Sequence, residues 1–128
     1  MSVIDKIKFN SDGLVPVIAQ QFDSGEVLML AWMNKEAIEK TLETGDIYYF
    51  SRSRNSLWRK GEQSGQTQSL KEFMLDCDED SVLIKVDQTG VACHTGRKNC
   101  FFNTVKDGEI IENQKPEISE EELYGDNN

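Results

Sequence analysis

The segment ACHTGRKNC, Ala92 to Cys100, holds the single histidine of the chain, His94, and two of its three cysteines, Cys93 and Cys100. The third, Cys77, stands in LDCDED between Asp76 and Asp78, with Asp80 two residues further on. Thiolates are soft ligands that suit zinc, and carboxylates are hard ligands that suit magnesium or calcium. Three cysteines cannot all pair, so a disulfide framework does not account for them. No C-x-x-C is present, and no zinc-finger or zinc-ribbon spacing is matched. Free cysteine is commonly buried, which partly suits Cys100 beside Phe101 and Phe102. Yet Cys93 and Cys100 bracket the polar run HTGRKN, and that favours ligation or reactivity over packing. Three thiolates on zinc leave a fourth position for water, as catalytic sites do, whereas His94 as fourth ligand would close the site. On the residues alone both arrangements stay open. A histidine left unbound beside a ligand cysteine is suited to proton transfer near neutral pH.

The acidic cluster allows two readings. Asp76, Asp78 and Asp80 match positions 1, 3 and 5 of a calcium loop, but Ser81 stands where Gly is required and Asp87 where Glu is required. An EF-hand is therefore excluded. If residues 76–80 are extended, the three aspartates share one face, with Cys77 and Glu79 on the other. Carboxylates so crowded repel unless a cation lies among them, and magnesium fits that oxygen set. An acidic turn between two strands, with Cys77 simply buried, is the plainer alternative.

These residues must be carried by a small frame. At 128 residues the chain is expected to form one domain. Leu14–Gln20 and Gly25–Met33 read as strands joined by the turn FDSG. Asn34 is placed as an N-cap for KEAIEKTLET, with Ala37, Ile38, Thr41 and Leu42 on one face and Gly45 as the stop. DIYYFS reads as a strand, followed by a long polar loop SRSRNSLWRKGEQSGQTQ. SLKEFMLDC and SVLIKVDQ read as strands around the acidic residues, and FFNTVKDGEII as a hairpin with Asp-Gly at its turn. The order predicts an α+β domain of mainly antiparallel strands with one main helix. It is expected to span residues 1–111, with residues 112–128 an acidic tail, partly disordered or a short helix.

Net charge is −9, unevenly spread. Residues 107–128 hold eight acids against one lysine and carry −7, which leaves −2 on residues 1–106. Overall repulsion from phosphate backbones disfavours nucleic acid as a partner. Between Ile47 and Gly61 the sign reverses, with Arg52, Arg54, Arg59 and Lys60 and no acid, so a small anionic ligand can be received there. No apolar run approaches membrane-spanning length, and MSVIDKIKFNSDG lacks the form of a signal peptide. A cytoplasmic location with reduced thiols and no membrane partner is expected.

Taken together, LVPVIAQ, GEVLMLAWMNKEAI, YYFSRSRNSLWRKGEQSGQTQ, DCDED and GVACHTGRKNCFF resemble, in order, the phosphoribosyl-AMP cyclohydrolase family of histidine biosynthesis. The one departure is at Glu79, where that family often has glycine. A pyrophosphohydrolase domain often follows in the family, and the cyclohydrolase alone is expected here. The resemblance implies that Cys77, Cys93 and Cys100 are zinc thiolates and that Asp76, Asp78 and Asp80 hold magnesium. It also implies a homodimer with one zinc per subunit shared between chains, Cys77 coming from one and Cys93 with Cys100 from the other.

The implied reaction is hydrolysis of the adenine C6–N1 bond of 1-(5-phosphoribosyl)-AMP, which opens the ring to an imidazole carboxamide ribotide. Zinc can acidify water from a pKa of 15.7 toward roughly 7. His94 is the candidate for proton transfer. Arg52, Arg54, Lys60, Arg97 and Lys98 are candidates for the two 5′-phosphates, with backbone N–H groups around Gly61, Ser64 and Gly65 as an anion nest. Trp58 can stack on the purine, although a Leu-Trp pair is more often core. Three rivals remain. A nucleotide deaminase would carry the signature H-x-E…P-C-x-x-C, which is missing. A zinc-stapled, nucleotide-binding dimer without catalysis would have a closed metal site. A redox sensor would need two cysteines within disulfide reach.

Overall fold

The computed structural model describes residues 2–124. A turn of helix, α1 (Val3–Lys6), precedes two strands, β1 (Val15–Gln21) and β2 (Val27–Met33). These form the expected hairpin, closed by Gly25 at φ +79°. Helix α2 (Lys35–Thr44) follows. The Asn34 side-chain oxygen accepts from the Ala37 N–H at 2.8 Å, and Gly45 ends the helix in the left-handed region, as expected of both. Ala37, Ile38 and Thr41 are buried, but Leu42, expected with them, is 42% exposed. The apolar stripe is narrower than the sequence pattern implied.

The polar run after DIYYFS is not a single loop. Strands β3 (Tyr48–Ser51) and β4 (Ser56–Arg59) pair antiparallel, and the chain turns between them with Asn55 at φ +49°. Leu57 and Trp58 lie between charged and polar neighbours, so a strand of four residues shows almost no alternation in the sequence. Strands β5 (Gln68–Leu75) and β6 (Val82–Gln88) form a second antiparallel pair. The main sheet has the order β2–β1–β6–β5, and its central pair, β1–β6, is parallel. Parallel pairing needs a long crossover, here supplied by everything from β2 to β5. Strands β7 (Asn103–Lys106) and β8 (Glu109–Glu112) form the expected Asp-Gly hairpin, with Asp107 and Gly108 both at positive φ. The boundary expected between residues 111 and 112 falls within β8. Asn113–Tyr124 continues across the surface and ends in a short helix, α3 (Glu120–Tyr124). Residues 125–128 of the tail lie outside the described residues.

One face of the sheet, with Val15, Val17, Ala19, Val82, Ile84 and Val86, packs under Ile38, Ile47 and Tyr49 as the core. Burial of such side chains is worth roughly 1.5–3 kcal/mol each. Within this apolar layer runs a polar relay. The Tyr49 hydroxyl donates to Gln68 Oε1 at 2.6 Å, and Gln68 Nε2 donates to Gln88 Oε1 at 2.8 Å. Gln88 Nε2 in turn reaches the carbonyls of Gln66, Thr89 and Val91. Burial pushes the Tyr49 phenol well above its ordinary range, so it stays a donor.

Tyr49→Phe removes the first donor and leaves Gln68 Oε1 without it; a loss of about 1–3 kcal/mol is expected from urea denaturation. Gln68→Leu strands both Tyr49 and Gln88 and should cost more. If Gln68→Leu matches wild type, the relay does not stabilise the fold.

Candidate active site

Cys93, His94 and Cys100 sit on a tightly tied loop. Ala92 N–H donates to Lys98 O and Cys93 N–H to Arg97 O, both at 3.1 Å, and Gly96 N–H closes the turn on Cys93 O at 2.9 Å. Cys100 N–H is bonded to Leu28 O of β2 at 2.8 Å, which fixes the end of the loop to the main sheet. The two thiols adjoin, Cys93 buried and Cys100 half-buried, and burial followed by the neighbouring Cys93 pushes the Cys100 thiol up to about 12. Thr95 Oγ1 donates to Cys93 Sγ at 3.0 Å. Lys60 is buried beside the pair, with its ammonium donating to Ala92 O at 2.6 Å. Burial draws the Lys60 pKa below its ordinary range, and the two thiols act in the opposite direction. Two adjoining, partly desolvated sulfurs suit a soft divalent cation: their own repulsion opposes ionisation, and a cation would reverse that.

Cys77 lies elsewhere, exposed, in the turn after β5. Among the described residues, the three sulfurs do not form a ligand set within one chain. The side chains that do converge are Asp76, Asp78 and Asp80, whose carboxylate oxygens lie within 4.8 Å of one another. Of the two readings of residues 76–80, the turn between two strands is the one that forms and the extended strand does not, although Cys77, buried in that reading, is exposed. Strand β5 stops at Leu75 because Asp76 accepts from the N–H groups of Asp80 at 3.1 Å and Ser81 at 3.3 Å, and from the Ser81 hydroxyl at 2.7 Å. Such local side-chain bonds displace ladder pairing. The Ser81 hydroxyl chiefly lowers the Asp76 pKa. The Asp80 carboxyl is raised, by loss of hydration first and then by Asp76 and Asp78.

Beside the thiol loop opens a cavity of about 430 Å³. His94 and Cys100 line it, with Arg54, Trp58, Lys60, Gly61 and Ser64 among the residues singled out by sequence. Trp58 packs against Tyr49 at 5.3 Å between ring centroids, so it is at once a core residue and part of the wall. A second cleft of about 360 Å³ shares Ala31, Arg54 and Trp58 with the first and adds Ser51, Arg52 and Ser53. Arg52 rests on the Trp32 ring at 4.6 Å. Gly61 has φ +86°, and a Cβ there would lie 2.7 Å from the backbone of Gln66 and Thr67.

Three candidates fall outside both clefts. Arg97 is engaged with Glu112 at 3.1 Å and Gln114 O, and stacks on Phe102 at 3.9 Å. Lys98 pairs with Glu26 at 3.2 Å. Gly65 lines neither opening. Sequence reasoning counted Arg59 in the basic run without assigning it to a phosphate, and missed Glu62, Gln63 and Tyr124 in the cavity wall. Arg59 was legible in the basic run, whereas nothing local in the sequence brings Tyr124 to the cavity.

Fold and site thus define a small α+β protein with a thiol pair and a carboxylate triad, the former beside a cavity of nucleotide size. Residues 29–102 match the family model described as phosphoribosyl-AMP cyclohydrolase. The phosphoribosyl-AMP cyclohydrolase of Paramagnetospirillum magneticum is 60% identical over 123 residues, covering 96% of this chain and 93% of that one. Those of Halorhodospira halophila and Rhodospirillum rubrum are 56% and 63% identical, over 97% and 93% of this chain and 87% and 84% of theirs. The chain belongs to the phosphoribosyl-AMP cyclohydrolase family.

Glu79, at the position where the resemblance suggested glycine, stands at φ +61°. A side chain there costs about 1–2 kcal/mol that glycine escapes, offset in part by the greater freedom of glycine in the unfolded chain. Glu79→Gly should therefore raise Tm by a few degrees. An unchanged or lower Tm would mean that the Glu79 side chain compensates for its backbone.

Proposed function

We propose that the protein hydrolyses the C6–N1 bond of 1-(5-phosphoribosyl)-AMP, a step of histidine biosynthesis, as a cytoplasmic homodimer that uses zinc and magnesium. The observation that carries this reading is that His94 and Cys100 share the wall of the larger cavity, with the buried Cys93 thiol directly behind Cys100. The thiol pair fits zinc by donor type and proximity, and a zinc ion held by Cys93 and Cys100, with Cys77 of a second copy, would supply hydroxide at neutral pH. His94 is exposed on the cavity side, suited to accept a proton from the attacking water and deliver it to N1 as the ring opens. Trp58 offers a face for the purine. Arg54 stands between the two clefts and Arg52 in the second, where they can pair with the phosphates, and Gly61 and Ser64 bring backbone close to the ligand. Lys60 serves as a buried positive charge beside the thiols, since its ammonium is turned to Ala92.

Two features support the dimer. Cys77 stands apart from the other thiols in the single chain. The outer face of the main sheet also carries an apolar row across the register, Leu30–Ile18–Leu83–Met74, with Leu30 and Ile18 50% and 39% exposed. The turn of Asp76, Asp78 and Asp80 offers hard oxygens for magnesium.

Ring opening is followed by ultraviolet absorbance with phosphoribosyl-AMP as substrate. Cys93→Ala should abolish turnover and lower bound zinc. His94→Ala should keep zinc and lose at least a hundredfold in kcat; normal turnover in that variant would remove His94 from the mechanism. Inactive wild type at full zinc loading would leave the non-catalytic, zinc-stapled dimer in its place.

Magnesium binding, followed calorimetrically, should weaken at least tenfold in Asp78→Asn. Ligand carboxylates must be ionised, and Asp80 is raised, so affinity should fall with decreasing pH from above the ordinary carboxylate range near 4. A pH-independent affinity would exclude Asp80 as a ligand.

A further inference from the structure

The segment after β8 lies beyond the residues that match the family model, yet it is bonded along the whole outer edge of the thiol loop. Asn113 N–H donates to Phe102 O at 2.8 Å, and Gln114 Nε2 to Asn99 Oδ1 at 3.1 Å. Arg97 Nε donates to Gln114 O at 3.1 Å. Glu117 and Ile118 both donate to Gly96 O, at 2.9 and 3.3 Å. Gly96 is at φ +86°, and a Cβ on it would overlap the Ile118 carbonyl oxygen, so the segment occupies the space that the missing side chain leaves. Ser119 then starts α3 by accepting from Glu122 N–H at 3.1 Å while donating to the Glu122 carboxylate, a reciprocal cap. Leu123 is 5% exposed and anchors the helix, and the next residue, Tyr124, reaches the wall of the larger cavity with His94, Cys100 and Trp58.

We propose that Tyr124 is a ligand-binding residue of this cavity, delivered by the docked C-terminal segment and directed at the base of the nucleotide. The inference rests on the proposed reading of the cavity. Charge sets the orientation. Glu117, Glu120, Glu121 and Glu122 are exposed on the segment that carries Tyr124, and they repel phosphate from that side. Arg52 and Arg54 draw it toward the second cleft. The substrate carries a phosphate on either side of its base, so the planar heterocycle lies between them with its C6 beside His94 and Cys100, and it is the part within reach of the tyrosine, whose ring offers stacking and whose hydroxyl offers one hydrogen bond.

The test uses the full chain with Tyr124→Ala, Tyr124→Phe and Leu123→Ala, and reads KM and kcat for ring opening of phosphoribosyl-AMP, zinc content, and calorimetric binding of AMP as a probe. Tyr124→Ala should raise KM and weaken AMP binding about tenfold, with kcat within twofold of wild type and zinc unchanged. Tyr124→Phe should lie close to wild type if the ring carries the contact. Leu123→Ala, which keeps the ring but loosens its anchor, should move KM in the same direction as Tyr124→Ala. Wild-type KM and AMP affinity in both alanine variants would overturn the inference. So would a rise in KM that appears only with loss of zinc, because the segment would then merely clamp the thiol loop. Weaker AMP binding by Tyr124→Ala in a wild-type background that opens no ring would uphold the inference and sink the hydrolase reading alone.

Discussion

The candidate site depends on a relay of buried hydrogen bonds that starts in the core at Tyr49 and leaves it at Gln88. Carboxamides suit such a relay because each both accepts and donates. A carboxylate would carry an unpaired charge into the apolar layer, and a hydroxyl would reach less far. The direction is set by Tyr49, whose hydroxyl donates to Gln68 Oε1 and so leaves the Gln68 amide nitrogen to donate to Gln88. From Gln88 the relay spreads to Gln66, Thr89 and Val91, while Gln66 Oε1 accepts from Val91 N–H at 2.9 Å. The next residue, Ala92, takes the Lys60 ammonium and leads into Cys93. A rigid sheet thereby passes its register to a loop that has little apolar surface of its own. Buried polar chains of this kind are stabilising only when every member is satisfied, and among the described residues no buried side-chain nitrogen or oxygen lacks a partner.

What was legible in the sequence follows from how local each signal is. The FDSG and Asp-Gly turns, the Asn34 cap and the Gly45 stop are written in consecutive residues, and each is found as expected. The thiol loop was legible for the same reason: Cys93, His94 and Cys100 are near neighbours in the chain. The β3–β4 hairpin was not, because its second strand offers only Leu57 and Trp58 in a polar run. That run is polar for an internal reason. Gln66 and Gln68 point into the relay, so side chains that looked like a solvent-facing loop are structural. The parallel β1–β6 pair and the arrival of Tyr124 at the cavity are both products of long-range closure, which no local pattern encodes. The aspartates are grouped by an acidic turn closed by Asp76, the plainer reading of the segment, and not by the extended strand from which their shared face was argued.

Charge placement shows why an acidic chain can still offer a basic pocket. Two of the cations that sequence assigned to phosphates, Arg97 and Lys98, are spent on Glu112 and Glu26. Those pairs hold the outer side of the thiol loop to β8 and to the start of β2, a structural use of charge that is modest in value for the more exposed Lys98–Glu26 pair. The cations left to the clefts, Arg52, Arg54, Arg59 and Lys60, all come from the β3–β4 hairpin and its exit, where no acid intervenes. The acids concentrate in the C-terminal segment on another side of the cavity. A net charge of −9 is therefore compatible with a local field that accepts an anion at one end and excludes it from the other.

In the proposed reading two features are completed only by a second chain. The Cys93–Cys100 pair offers two soft ligands where a zinc site needs at least three from protein. The row Leu30–Ile18–Leu83–Met74 leaves an apolar stripe on the outer face of the sheet. A stripe of this kind is favourably covered by another surface, and Leu30 both belongs to it and lines the cavity. A partner seated on that face would thus border the site itself. In the reading proposed here, a second copy covers the stripe and brings its Cys77 to the thiol pair, so that assembly and metal binding stabilise one another. The exposure of Cys77 then has a physical rationale: a thiol meant for a neighbouring chain cannot be buried in its own.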